Sequence, residues 1–263
     1  MRTGTPAARV RVASFALLLV ALLWPGLGQP SAAAAAAPCQ QIVVPAYFDP
    51  GPAWRRAIAA APATGIMILN PNSGPDQYLE HWATVTRRAQ AAGIKVIGYV
   101  RTDRARRAPA VVKKEIDRYF DWYQVDGIFL DEATGEAKTI PYFRALAAHV
   151  RGSTGGAIVA LNPVFDLDRG YMAFVDILVV YEYGYDAYRS KKLPDWLDAY
   201  PADRFIHIVY DVPGHAAARE TLKLAKKRNA GYVFVTDRSD PAQIYKSLGG
   251  LWTDMVKAVC SSR

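Results

Sequence analysis

Acidic residues close several of the short Val-, Ile- and Phe-rich runs in this chain, and their placement is the first hint of chemistry. Gly127 to Leu130 runs into Asp131 and Glu132, Ile177 to Tyr181 into Glu182, Phe205 to Tyr210 into Asp211, and Tyr232 to Val235 into Thr236 and Asp237. Two carboxyl groups facing one cavity supply what glycosidic cleavage needs: one protonates the leaving oxygen while the other attacks the anomeric carbon or activates water. Asp131 and Glu182 are the best pair, because two strand–helix units separate them. Alternation along a strand lets only one of Asp131 and Glu132 face the cavity unless the strand has already ended. A strand-end acid also commonly caps the next helix or holds loop amides. Asp211 and Asp237 read that way, with Asp211 kept as a substrate contact. Asp126 and Asp176 each follow a Val at the start of a run, which assigns them to the opposite, structural end.

Other chemistries find less support. His81, His149, His207 and His215 are the only histidines, and neither HExxH, His-x-His nor CxxC spacing occurs, so no metal and no cofactor is expected. Asn72-Ser73-Gly74 lacks the first Gly of a serine-nucleophile elbow. No Gly-rich phosphate turn follows a strand candidate. The basic stretch from Arg101 to Arg107 reads as a solvated loop, and no nucleic-acid partner is expected.

Eight strand candidates would position the acids: Ile42 to Tyr47, Ile66 to Leu69, Lys95 to Val100, Gly127 to Leu130, Ala157 to Leu161, Ile177 to Tyr181, Phe205 to Tyr210 and Tyr232 to Val235. Between them lie amphipathic segments such as Gln77 to Ala92, Ala110 to Trp122, Pro141 to Arg151 and His215 to Arg228, with a last helix expected from about Ile244 to Val259. This alternation predicts an α/β chain folded as a single (β/α)₈ barrel over residues 38–263, in which strand carboxyl ends converge on one mouth. Tyr47, Phe48, Tyr99, Tyr181, Tyr183, Tyr185 and Tyr210 sit at or near those ends, where flat rings can stack on sugars or pack the core. Tyr47, Asn70, Tyr99 and Asn162 are the candidates for orienting sugar hydroxyls.

Of 263 residues, 51% are hydrophobic and 21% charged, which excludes a disordered tail. Residues 1–37 read as a secretory signal peptide: Arg2, Arg9 and Arg11, an apolar stretch from Val12 to Trp24, then small residues. A secreted protein, extracellular or wall-associated, is therefore expected, with no membrane span after cleavage. Removing the three leader arginines from 32 basic residues leaves 29 against 24 acidic ones, a net charge of +5. Cys39 and Cys260, the only cysteines, would tie the termini together if bridged.

Several motifs carry a family resemblance: Val44-Pro45-Ala46-Tyr47, Asn70-Pro71-Asn72-Ser73-Gly74-Pro75, Gly98-Tyr99-Val100, Val125 to Glu132, Leu161-Asn162-Pro163 and Tyr181-Glu182. With these the sequence resembles the spherulin-4-like proteins, whose characterised fungal members form glycoside hydrolase family 135, with family 114 a more distant relative. The resemblance implies a secreted barrel hydrolase cleaving α-1,4-linked galactosamine or N-acetylgalactosamine polysaccharide. It implies Asp131, Glu132 and Glu182 as active-site acids, Asp131 as nucleophile and Glu182 as general acid/base, with Glu132 able to exchange roles with either. Tyr47, Asn70, Asn72, Ser73, Tyr99, Asn162, Tyr181 and Asp211 form the expected substrate-binding set of a monomer. Thr102 to Arg107 departs from relatives that carry an aromatic and a Gly there, and Arg104 would shift preference toward acetylated or anionic glycans. The rival is a noncatalytic carbohydrate-binding or spore- or cell-envelope protein on the same barrel.

Overall fold

A computed structural model describes Met1, residues 39–163 and residues 168–259. The expected leader, apart from Met1, and Cys260, and with it the Cys39–Cys260 pairing, lie outside the described residues. Eight parallel strands close into a barrel in sequence order: β1 (Gln41–Ala46), β2 (Thr64–Leu69), β3 (Lys95–Arg101), β4 (Gly127–Ala133), β5 (Ile158–Pro163), β6 (Ile177–Gly184), β7 (Phe205–Tyr210) and β8 (Tyr232–Val235). Parallel pairing of Gln41 with Tyr232 and of Ile42 with Val233 makes the closure. Side chains fill one face of every strand and helices cover the other, which is why the strands read as continuous apolar runs.

The helices are α1 (Pro52–Ala59), α2 (Glu80–Ala91), α3 (Pro109–Arg118), α4 (Ile140–Ser153), α5 (Tyr185–Ser190), α6 (His215–Lys227) and α7 (Trp252–Ala258). Pro52, Pro109 and Pro141 stand in the first turns of α1, α3 and α4, where a missing N–H costs nothing. In α6 the buried positions are Ala218, Thr221, Leu222 and Ala225, the spacing of one helical stripe against the barrel. No described helix is long and apolar enough to cross a membrane.

Three element ends differ from expectation, each for a local reason. Helix α3 stops at Arg118 and continues as a π-helical turn, Tyr119–Tyr123, closed by Gln124 in the left-handed region (φ 49°). Strand β6 runs on to Gly184, so Glu182 lies inside the strand. The last helix begins only at Trp252, because Gly249 takes φ 72° and Gly250 N–H donates to Asp237 Oδ1 at 2.9 Å. Residues 236–251 therefore form an irregular connection at the carboxyl end of β8.

The two ends of the barrel are held by different means. At the amino end, Asp126 accepts from Val96 N–H at 2.9 Å and Asp176 from Val159 N–H at 2.8 Å, so each carboxylate ties the strand before its own. At the carboxyl end, Thr102 N–H and Oγ1 donate to Asp131 O at 2.9 and 2.7 Å, and Arg104 N–H donates to Glu132 O at 2.8 Å. That clamp holds the end of β4. Asp103, Arg104 and Ala105 behind it all take left-handed φ values of 49°, 54° and 63°, a conformation costly without glycine.

Gly98 in β3 shows how closely the helix layer approaches. A Cβ there would stand 2.4 Å from Tyr119 Cγ, and Tyr119 is itself held by its hydroxyl's bond to Leu69 O at 3.2 Å. Gly98→Ala should therefore destabilise the fold by about 1–3 kcal/mol in urea unfolding. An unchanged midpoint would show that Tyr119 is free to retreat.

Candidate active site

The barrel brings the ends of β4, β5 and β6 together, and with them Asp131, Asn162 and Glu182. Asn162 Nδ2 donates to Asp131 Oδ1 at 2.8 Å and to Glu182 Oε2 at 2.5 Å. One amide nitrogen carries two hydrogens, so it can serve both carboxylates at once. The two accepting oxygens are therefore close neighbours, held by one nitrogen, nearer together than the acids of inverting glycosidases (about 6.5 to 9.5 Å).

Tyrosines close the other side of the pair. Tyr245 Oη donates to Glu182 Oε1, and the Tyr99 hydroxyl stands beside Asp131 and favours its anion. Tyr47 lies between these two rings, edge-on to Tyr99 at 5.2 Å and to Tyr245 at 5.3 Å between centroids. An arch of three rings thus connects the two acids from beneath, and Asn162 connects them directly.

Burial sets the electrostatics. Removal from water is the largest influence on both carboxyls and pushes both pKa values up. Against it, Asp131 has the Tyr99 hydroxyl, the Glu132 backbone N–H and the Asn162 amide, all favouring its anion. Glu182 has Tyr245 and Asn162, and the charge of Asp131 acts on it as a further upward push. Two neighbouring carboxyls resist double ionisation, so the pair titrates in coupled steps. Asp131 has three donors favouring its anion against two at Glu182, while the charge of Glu132 pushes Asp131 up as well. The surrounding phenols are raised as well, Tyr47 mainly by burial and then by the charges of Asp131, Tyr99 and Glu182.

The remaining expected site residues fall in different places. Asn70, just after β2, has a buried Oδ1 without a hydrogen-bond partner among the described residues. Asn162 Oδ1 is in the same state. Glu132 takes φ 51° and pairs with Arg101 Nε at 2.9 Å, on the outer side of the strand end. Asn72 and Ser73, at φ 52° and 60°, are exposed in the turn after β2 and bond to none of the three acids. Tyr181 is not brought into the mouth: it is buried, donates to Gly184 O at 2.8 Å and packs on Tyr188 of α5. Asp211 is exposed at φ 58°, its N–H on Arg238 O at 2.9 Å. Tyr245 was missed, because a helix begun at Ile244 would have carried it away from the mouth. Gly249-Gly250 was the available signal, a pair that interrupts any helix drawn through it. Among the described residues no group of three or more His, Cys, Asp or Glu is placed to hold a metal.

Two outcomes test this electrostatic picture. Tyr245→Phe removes a donor to the Glu182 anion, so the Glu182 carboxyl should titrate at higher pH in carbon-13 NMR; an unmoved or lower midpoint contradicts the bond's role. A carboxyl raised by folding stabilises the native state fully below its unfolded value, about 4.3, and loses that contribution as pH rises. Glu182→Gln should therefore melt higher than the native protein at neutral pH, with the gap closing toward pH 4. A gap that widens on acidification would reverse the sign of the shift.

Comparison with known proteins agrees with this architecture. Residues 41–259 match the model of spherulation-specific family 4. Spherulin-4 of Physarum polycephalum is 30% identical over 235 residues, covering 83% of this chain and 70% of that protein. Among solved structures, Aspergillus clavatus Sph3, crystallised in complex with GalNAc, superposes with a TM-score of 0.73 at 25% identity, over 84% of this chain and 97% of the other. The glycoside hydrolase domain of PelA from Pseudomonas aeruginosa shares the fold, with a TM-score of 0.50 at 18% identity over 78% and 97% of the two chains. A match across nearly the whole barrel, together with the Physarum relative, places this chain in spherulation-specific family 4.

Proposed function

We propose that the chain is a secreted glycoside hydrolase cleaving α-1,4-linked galactosamine or N-acetylgalactosamine polysaccharide, with Asp131 as nucleophile and Glu182 as general acid and base. The observation that carries this reading is the sharing of Asn162 by the two carboxyls. The likeness to Sph3, a structure that holds GalNAc, supports the choice of sugar.

The roles follow from the environment of each acid. Asp131, with donors on its carboxylate, stays ionised for attack on the anomeric carbon. Glu182, raised by burial and by the neighbouring charge, keeps its proton at a higher pH and delivers it to the leaving oxygen. The bond from Asp131 to the sugar forms as the bond to the leaving oxygen breaks, and the proton of Glu182 ends on that oxygen. Water then gives its proton back to Glu182 and displaces Asp131. The first displacement inverts the anomeric centre and the second restores it, so the α configuration is retained. Tyr47, Asn70 and Tyr99 bind the sugar ring, and Asn70 Oδ1 is an acceptor waiting for a hydroxyl or an N–H. Glu132, turned to Arg101, supports the rim.

Purified protein should release new reducing ends from galactosamine-containing polysaccharide, and the first product seen by proton NMR should be the α anomer. Asp131→Asn and Glu182→Gln should each lower turnover by about 10²–10⁴ or more. Binding without release by the native protein would favour the noncatalytic envelope or carbohydrate-binding reading, and a β product would remove Asp131 as nucleophile.

A further inference from the structure

Tyr183 is 61% exposed and directly follows Glu182 in β6. The other exposed large ring among the described residues, Tyr78, is accounted for: it stacks on Tyr123 at 6.1 Å and 20°, and its hydroxyl bonds Glu80. Tyr183 has no such employment. Among the described residues its one ring neighbour is Tyr210 at the end of β7, at 5.8 Å and 55°. Tyr210 is half-buried and lies within electrostatic reach of both Glu182 and Tyr183. Gly184 pairs with Tyr210 between the strands and has no side chain to cover the ring. Tyr210, within electrostatic reach of Glu182, and its ring neighbour Tyr183 thus stand at the carboxyl ends of β7 and β6, on the side of β6 away from β4.

We infer that Tyr183 and Tyr210 form a second sugar-binding platform, which holds the hexose unit on the leaving-group side of the scissile bond. It rests on the reading of Asp131 and Glu182 as the cleaving pair, since that pair decides which side is which. The apolar C–H face of a pyranose matches a flat aromatic face in size and polarity, and a ring already standing in water needs no rearrangement to receive it. A platform next to the proton donor binds the departing part of the chain, so it serves a polymer and offers nothing to a lone monosaccharide.

The test measures binding by calorimetry in the Glu182→Gln protein, with α-1,4-linked galactosamine oligosaccharides from dimer to hexamer, N-acetylated and free-amine. Affinity should rise with length. Adding Tyr183→Ala should remove about tenfold of that affinity for the longer chains. Tyr183→Phe should keep it, because the ring and not the hydroxyl makes the platform. Equal affinity with and without Tyr183→Ala would overturn the inference, as would equal loss in the Phe and Ala variants. The side chain is at the surface, and an unchanged melting curve would show that a loss reflects binding. Hydrolysis is read separately in the native protein: length-dependent binding that needs Tyr183, without release of reducing ends, removes the chemistry and keeps the platform. Release that continues with an unchanged KM for the hexamer in Tyr183→Ala removes the platform and keeps the chemistry.

Discussion

One amide group carries the whole arrangement. Asn162 gives a hydrogen to each of two carboxyls that would otherwise repel one another, and it does so from β5, the strand between them. Its grip has meaning only if β4 and β6 end at the same height. The clamp of Thr102 and Arg104 on the end of β4 fixes one side, and the pairing of Glu182 with Ile208 of β7 fixes the other. Asn162 Oδ1, buried without a partner among the described residues, is the cost of aiming Nδ2 at both acids. That orphan is a natural acceptor for a sugar hydroxyl.

Around this contact the protein arranges desolvation against donation. Burial raises both carboxyls, and hydrogen-bond donors pull them partly back: Tyr99, the Glu132 N–H and Asn162 at Asp131, Tyr245 and Asn162 at Glu182. Unequal environments for two chemically similar groups are how a fold divides acid from nucleophile. Charge elsewhere on the surface matters less, because at physiological salt it is screened beyond about 8 Å. The basic excess of the chain is therefore no obstacle to a cationic amino sugar at a locally acidic mouth.

Much of this was legible from residue order. Continuous apolar runs such as Ile66 to Leu69 mark strands buried on both faces, and eight strand candidates with helices between leave few topologies. Strand ends then point to Asp131, Asn162 and Glu182, because a barrel gathers such ends at one mouth. Legibility failed where geometry departs from the regular period. A register shift between Val179 and Tyr181 and the continuation of β6 to Gly184 leave Tyr181 facing α5 and Glu182 facing the mouth. Alternation did foresee that only one of Asp131 and Glu132 faces the mouth, and it is Glu132, at positive φ, that turns away to Arg101. Tyr245 was hidden by a helical pattern that Gly249 and Gly250 break, and the loop they create brings a donor to Glu182.

The proposed hydrolysis requires Asp131 and Glu182 to act as one coupled pair over one sugar. Its most direct test is the pH dependence of kcat/KM for the native protein on galactosamine polysaccharide. The account predicts a bell, with an acidic limb from the carboxyl that must be ionised and a basic limb, displaced above the usual carboxylate range, from the one that must keep its proton. A rate with only one limb, or a basic limb at the value of an ordinary exposed glutamate, would contradict it.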